Sequence, residues 1–289
     1  MIIWLASYPR SGNTLLRIML NRVWEMKSYS MYGDHSDISD RQTTARIAAQ
    51  VGHQSFGTNW DDAYPKLLEG GRVNLVKTHE IPIDNQKAIY VVRDGRSATR
   101  SYCQYRMDFN GCTDPAATLR DVILGFTPFG SWSNHLDAWN PLQRPGTLVV
   151  KYEDLVQSPD QQIARISEFL QLAPSRPWRN EFEELSRLDS RHFRAAGANR
   201  PADALNDGDL RLFTMLHGPW MRRLGYELPS GAGDAPEIDE TFRKVLYGAV
   251  ADQIYRTARM QADADQLAAE LNRRIETAVQ TLMPGAAGG

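Results

Sequence analysis

Residues 2–14 read IIWLASYPRSGNT, and this stretch decides the fold class. The apolar run Ile2–Ala6 lacks polar alternation, which is typical of a parallel strand covered on both faces. A short loop containing Gly12 follows, and from Thr14 to Trp24 the apolar residues recur at helical spacing. A strand that passes through such a loop into a helix predicts an anion site, because loop and helix N–H groups point into the junction.

Three further apolar runs share the Ile- and Val-rich character of the first: Val73–Val76, Ala88–Val92 and Thr147–Lys151. Helical patterns separate them, and two of these open on a capping residue followed by proline, at Asp114 and at Ser158. Gln161 would complete a capping box at the second. This alternation predicts an α/β fold, a three-layer sandwich with a central parallel sheet and a P-loop-like loop after its first strand.

The composition argues against several classes of partner. Net charge is −2 over 289 residues, which gives no support for general binding to nucleic acid or to a membrane surface. The apolar run at residues 2–6 is too short for a signal peptide or a spanning helix, and no run reaches the roughly 18 residues that a span needs. These features predict a cytoplasmic protein. An anionic ligand would need a local cluster of positive charge.

The loop after the first strand carries the first candidate site. Gly12 allows a close backbone approach, and a basic group with three hydrogen-bonding side chains accompanies it: Arg10, Ser11, Asn13 and Thr14. The loop is not a Walker A motif, which would place glycine at Ser7 and lysine at Asn13. The positive charge comes early instead, from Arg10.

Two other strand ends carry basic residues. Arg93 ends one apolar run, and Ser101 follows eight residues later, about two helical turns on. Lys77 and His79 end another run. Since α/β sheets place their sites at the carboxyl edge of parallel strands, we expect these side chains to converge with the first loop.

Together these three motifs resemble those of the sulfotransferase family. The resemblance implies that residues 8–14 hold the 5′-phosphosulfate of 3′-phosphoadenosine-5′-phosphosulfate (PAPS), through Arg10, Ser11, Gly12, Asn13 and Thr14. It implies that Arg93 and Ser101 bind the 3′-phosphate, and that Lys77 and His79 form the catalytic strand end. The product of the donor would be 3′,5′-adenosine bisphosphate (PAP).

Weaker matches follow in the family's order. The segment GSWSNH at 130–135 resembles a family helix that follows the acceptor loop. Residues 151–155 resemble the segment that contributes a tyrosine, here Tyr152, to the nucleotide pocket. Residues 222–226 resemble the end of the family's core. The resemblance therefore covers about residues 1–228.

Three positions depart from the family's pattern. Arg10 stands where many members carry lysine, and Leu15 stands where better-known cytosolic members carry a tryptophan near adenine. The Arg-Lys-Gly element that closes over the 3′-phosphate is not intact. Its nearest counterpart is Arg-Ala-Ala-Gly at 194–197, so Arg194 is the residue assigned to that contact.

The resemblance implies in-line transfer of a sulfuryl group to an acceptor oxygen or nitrogen. Arg10, Lys77 and the loop N–H groups would stabilise charge on the leaving phosphate. His79 would act as general base, because an imidazole has an ordinary pKa of about 6.5. No metal is expected, since arginine and lysine supply the positive charge that magnesium supplies in nucleotide triphosphatases.

Two other functions are compatible with the same fold. A P-loop kinase would need a lysine where the chain has Asn13, together with an acidic magnesium ligand. A protein that binds an adenine nucleotide without catalysis would need neither Lys77 nor His79 to hold a 3′-phosphate. Both alternatives stay open on the sequence alone.

Two segments, 28–64 and 103–132, are expected to form the acceptor walls. Their aromatic content fits a small or medium organic acceptor with an apolar body: Tyr29, Tyr32, Phe56, Trp60, Tyr105, Phe109, Phe126, Phe129 and Trp132. The pattern does not distinguish a phenol from an alcohol, an amine or a glycolipid.

The chain divides at a Pro- and Gly-rich break. We expect a sulfotransferase domain over 1–228, a linker over 229–236, a helical C-terminal extension over 237–283 and a disordered tail over 284–289. The extension has an apolar stripe and is expected to pack on the core or on a second copy of the chain, as a homo-oligomer contact.

Overall fold

The computed structural model describes residues 1–33, 45–69, 71–179 and 205–228. All of them lie within one compact unit, Met1–Pro236. The expected linker, C-terminal extension and tail begin at residue 229, and they lie outside the described residues together with Arg194. Those expectations stay predictions.

The centre of the fold is a five-stranded, all-parallel sheet of order β2-β3-β1-β4-β5. Its strands are β1 (Ile2–Ala6), β2 (Ser28–Ser30), β3 (Asn74–Thr78), β4 (Lys87–Val92) and β5 (Thr147–Lys151). The predicted parallel sheet is confirmed. The sequence missed β2, whose residues Ser-Tyr-Ser show no apolar run, and placed β3 one residue early with its end two residues short.

Helices cover both faces of the sheet. In chain order they are α1 (Asn13–Trp24), α2 (Ala45–Val51), α3 (Trp60–Glu69), α4 (Gly95–Phe109), α5 (Pro115–Leu124), α6 (Trp132–Trp139), α7 (Tyr152–Gln157), α8 (Pro159–Leu170) and α9 (Asp207–Arg223). The expected three-layer α/β sandwich is confirmed. In the part of the chain that the structure describes, no helix combines the length and the apolar character that a membrane crossing requires.

The two expected helix caps have different outcomes. Asp114 caps α5 as predicted, because its side chain accepts from the N–H groups of Ala116 and Ala117. Ser158 precedes α8, but its side chain makes no capping hydrogen bond, so the predicted capping box with Gln161 is wrong. The proline at the start of α8 already fixes a helical φ, which lets the helix begin without that cap.

The main hydrophobic core lies between one face of the sheet and helices α1 and α8. Ile3, Leu5 and Ile89 of the sheet pack there against Leu16 and Ile166. Alternate residues of the same strands face the other layer, where the ring of Tyr90 packs on Trp139 of α6, with centroids 5.9 Å apart. This arrangement leaves the carboxyl ends of β3, β1 and β4 side by side, with the three motif-bearing loops at one edge.

Candidate functional site

The loop after β1 is tied back onto its own strand. Arg10 and Gly12 both have positive φ, at 62° and 105°, so the chain turns sharply before α1 begins. The side-chain amide of Asn13 donates to the carbonyl of Leu5 at 2.7 Å and to Oγ of Ser7 at 3.2 Å. The side-chain amide hydrogens of Asn13 therefore hold the loop in place. Its backbone N–H, at the start of α1, is the group that it can offer to an anion.

Ser11 points to a ligand in this loop. Its side chain is 1% exposed, and its Oγ has no hydrogen-bond partner among the described residues. The first-turn N–H groups of α1 have no intrahelical carbonyl to bind. A hydroxyl and several N–H groups at a helix start fit the oxygens of a phosphate or phosphosulfate group.

Arg10 joins this loop to the helix after β4. Its Nε donates to Oγ of Ser101 at 3.3 Å, and its guanidinium lies 5.5 Å from the ring centroid of Tyr105. Its backbone carbonyl accepts from Nη1 of Arg93 at 3.2 Å. The loop after β1 and the motif after β4 thus meet directly. The guanidinium groups of Arg10 and Arg93 both lie at the carboxyl edge of the sheet.

Tyr152 packs on Arg93 and on the loop after β1. The Arg93 guanidinium lies 4.5 Å from the centroid of the Tyr152 ring. A Cβ atom at Gly12 would lie 2.4 Å from Cδ2 of Tyr152, so only glycine lets the ring approach the loop this closely. The structure therefore brings Tyr152 together with Arg93 and Gly12, and their role as a nucleotide pocket stays a prediction.

Glu153 is a supporting residue that sequence reasoning missed. One carboxylate oxygen accepts from the backbone N–H of Asp94 at 3.0 Å, and the other accepts from the hydroxyl of Tyr226 at 2.9 Å. These contacts join the start of α4, the start of α7 and the end of α9. The available signal was its place directly after Tyr152, a residue expected at the nucleotide pocket.

His79 lies at the other side of the loop, where β3 ends. Its Nδ1 lies 2.7 Å from the carbonyl oxygen of Ser7. A carbonyl can only accept, so Nδ1 carries the proton and Nε2 is the basic nitrogen of the neutral ring. Lys77, two residues earlier, places Nζ 4.5 Å from the ring centroid of Tyr32.

Two aromatic rings flank His79. The Phe129 and Tyr32 rings lie 5.7 Å and 6.2 Å from the imidazole, centroid to centroid. The Tyr32 hydroxyl accepts from the backbone N–H of His79 at 2.8 Å, and burial raises the pKa of Tyr32 well above its ordinary value. The tyrosine therefore stays neutral at any ordinary pH.

Some expected acceptor-wall residues pack on one another or in the core. Tyr29, Phe56 and Trp60 pack in a separate aromatic group that includes Trp4, with centroid separations of 4.8 to 5.8 Å. Trp132 is 1% exposed and packs on Phe213 and His217 in the core. Trp132 therefore belongs to the core rather than to the acceptor wall. The assignment of Tyr29, Phe56 and Trp60 to the wall stays a prediction. Phe109 and Phe126 belong, like Phe129, to the expected wall segment 103–132.

Comparison with known proteins identifies the family. A family model described as a sulfotransferase domain matches residues 2–195. The chain belongs to the sulfotransferase family. Sulfotransferase 1B1 of Canis lupus familiaris is 24% identical to this chain over 183 residues, and sulfotransferase 1E1 of Mus musculus is 24% identical over 183 residues. The matches cover 58% and 59% of this chain, and the same shares of those relatives' lengths.

Solved structures of similar fold include two complexes. Mouse sulfotransferase SULT7A1 complexed with PAP has a TM-score of 0.54 at 18% identity, covering 76% of this chain and 84% of that chain. Retinol dehydratase in a complex with retinol and PAP has a TM-score of 0.51 at 16% identity, covering 79% and 83%. At these identities the likeness shows a shared fold.

Proposed function

We propose that this member of the sulfotransferase family transfers a sulfuryl group from PAPS to a hydroxyl or amine of a small to medium organic acceptor. The observation that carries the proposal is the hydrogen bond from His79 Nδ1 to the Ser7 carbonyl at 2.7 Å. It fixes a basic imidazole nitrogen beside the loop that presents Arg10. A base and an anion site held on one loop suit a reaction between an acceptor and an anionic donor.

The donor side of the proposal rests on the loop after β1 and on α4. Ser11 and the N–H groups at the start of α1 would bind the phosphosulfate, and Arg93 with Ser101 would bind the 3′-phosphate. Tyr152 would pack on the nucleotide. PAP is the ligand printed for the two complexes of similar fold, which supports the choice of nucleotide.

The proposed step is an in-line displacement. The acceptor oxygen or nitrogen forms a bond to sulfur as the bond from sulfur to the phosphate oxygen breaks, and PAP leaves. The acceptor's proton passes to Nε2 of His79. Arg10 and Lys77 stabilise the negative charge that grows on the leaving phosphate oxygen.

The aromatic rings beside His79 would contact the acceptor. Phe129 and Tyr32 flank the imidazole, and Tyr105 lies beside Arg10. Flat, apolar walls at a base suit an acceptor with an apolar body and a hydroxyl or amine at its edge. Neither nucleic acid nor a membrane is proposed as partner.

The kinase alternative is less favoured by the structure. A Walker lysine reaches the phosphates, whereas the side chain at the corresponding position, Asn13, is 4% exposed and bonded to Leu5 and Ser7. The test uses PAPS carrying ³⁵S-sulfate and a panel of phenols, alcohols and amines, with EDTA and with Mg²⁺. Label transfer to an acceptor in EDTA supports the proposal. Transfer of phosphate from ATP that requires Mg²⁺, with no transfer of label, would contradict it.

A further inference from the structure

Helix α6 holds the peptide groups that follow β3. The Nε2 atom of His135 lies 3.0 Å from the carbonyl oxygen of His79, and Nε1 of Trp139 donates to the carbonyl oxygen of Glu80 at 2.8 Å. His135 and Trp139 are one helical turn apart and each is 1% exposed. Two buried side chains on one face of α6 therefore bind two consecutive carbonyls, at the residue proposed as base and the residue after it.

His79 is anchored by several parts of the fold. Its N–H donates to the hydroxyl of Tyr32, its carbonyl faces His135, and its Nδ1 donates to the carbonyl of Ser7. The anchors come from the region after β2, from α6 and from the loop after β1. Fixing both sides of the residue's backbone restricts where its ring can point, so Nε2 has one preferred direction.

Hydrogen-bond polarity determines the state of His135. Since a carbonyl only accepts, the Nε2 atom of His135 carries its proton and donates to His79. Its Nδ1 then accepts from the hydroxyl of Tyr90 at 2.7 Å. Burial lowers the pKa of His135 to about 4 and raises that of Tyr90, so both groups are neutral near pH 7. The donor direction runs from Tyr90 through His135 to the carbonyl of His79.

We infer that His135 is a positioning residue: through its hydrogen bond to the His79 carbonyl, it holds the imidazole of His79 against the Ser7 carbonyl. The inference rests on the proposed function only in assigning His79 the role of base. Packing alone does not explain a histidine here. An apolar side chain of similar size would fill the space but leave the His79 carbonyl and the Tyr90 hydroxyl without their partner.

A second buried histidine supplies a matched control. His217 is also 1% exposed, and its Nδ1 lies 2.7 Å from Oγ of Ser133. Its Nε2 lies 3.0 Å from the carbonyl of Ile123, and burial lowers its pKa to about 4. The environment repeats that of His135, with the bound carbonyl in α5 instead of at His79. Equivalent changes at the two positions therefore disturb packing alike.

The activity test compares His135→Leu, His135→Gln and His217→Leu. His135→Leu should lower kcat by about 100-fold, the scale of a 1 Å displacement of a reacting group, with little change in the acceptor KM or in calorimetric PAP affinity. His135→Gln should restore most of kcat, because its amide can donate to the carbonyl and accept from Tyr90. His217→Leu should keep kcat while losing comparable thermal stability. Equal kcat in the folded leucine variants would overturn the inference.

A spectroscopic test is independent of turnover. In ¹⁵N–¹H spectra of the imidazole groups, His79 should show a single Nδ1–H tautomer in the unmodified chain and in His217→Leu. A mixture of tautomers is expected in His135→Leu, with the single form regained in His135→Gln. An unchanged His79 tautomer in His135→Leu would overturn the positioning role, even if transfer is observed. If the unmodified chain transfers no label but the tautomer responds as expected, the proposed function fails and the positioning role stands.

Discussion

The Nε atom of Arg10 lies 3.3 Å from Oγ of Ser101, across 91 residues of sequence. The contact joins the loop after β1 to the second turn of α4. A residue proposed to act on the leaving phosphate thus touches a residue proposed to bind the 3′-phosphate. Changes at either position are therefore expected to be non-additive.

Arg10→Ala should lower turnover more than donor affinity, because its guanidinium is proposed to meet charge that grows in the transition state. We expect a loss of ~2.7–4 kcal/mol of transition-state stabilisation, by analogy with the loss of one oxyanion donor. Arg10→Lys should retain part of the rate, since lysine keeps the charge but not the planar fork. Steady-state kinetics with PAPS measure both. Weaker donor binding with an unchanged rate at saturation would contradict this role.

Gly12→Ala should impair both the fold and nucleotide binding. The position has a φ of 105°, and the added Cβ would lie 2.4 Å from the Tyr152 ring. Gly71→Ala is the control, because Gly71 also has a positive φ, of 62°, but a Cβ there meets no atom within 4 Å. Both variants should lose about 1 kcal/mol from backbone strain, and Gly12→Ala should lose more. Urea unfolding and PAP titration compare them, and equal losses would contradict the close approach of Tyr152.

Stability should fall in acid partly through the buried histidines. Burial lowers the pKa of His217 from its ordinary value of 6.5 to about 4, so the unfolded chain binds this proton more readily than the folded chain. Near pH 7 the histidine is neutral in the folded chain and mostly neutral in the unfolded chain, so its burial hardly changes the free energy of unfolding. As pH falls from about 6.5 towards 4, the unfolded chain takes up the proton first and stability is lost. One such group accounts for roughly 2–3 kcal/mol by pH 4.5, since each unit of pKa is about 1.4 kcal/mol.

The measurement for this prediction is urea unfolding at pH 7 and pH 4.5 for the unmodified chain and for His217→Gln. Carboxyl groups titrate in both proteins and cancel in the comparison. The unmodified chain should lose more stability between the two pH values than the variant does. Parallel losses would show that His217 is not held neutral by burial.

The sequence predicted the parts of the molecule that depend on local pattern. The apolar runs that became β1 and β5 were placed correctly, and the motifs that contain Arg93 and Tyr152 lie in contact. It missed β2, because the short polar segment Ser28–Ser30 is a strand only through its pairing with β3.

Side-chain partners could not be predicted in the same way. His135 lies in the segment that the resemblance assigned to a helix, and nothing in the sequence assigned it a partner. Its hydrogen bond to the His79 carbonyl depends on how α6 lies against the end of β3, which no spacing in the chain reveals. The amide of Asn13 turns back to Leu5 for the same kind of reason, since the φ angles of the loop determine its direction.

His79→Ala should lower sulfuryl transfer by about 10²–10⁴-fold, the usual range for a lost general base. Its affinity for PAP should stay near that of the unmodified chain, because PAP presents no proton to remove. The loss should be smaller for an acidic phenol, which needs less help from a base, than for an alcohol. Label transfer to both acceptors, followed in parallel, provides the measurement. Undiminished transfer to the alcohol would rule out His79 as the base.

The central claim is that the edge formed by Arg10, Arg93 and Ser101 binds an adenine nucleotide through its 3′-phosphate. Calorimetric titration of PAP and of adenosine 5′-monophosphate against the unmodified chain and Arg93→Ala tests it most directly. We expect Arg93→Ala to weaken PAP binding by ~1.5–3 kcal/mol, the scale of a charged hydrogen bond, and to affect binding of the monophosphate much less. Equal losses for the two nucleotides, or no loss for PAP, would contradict it.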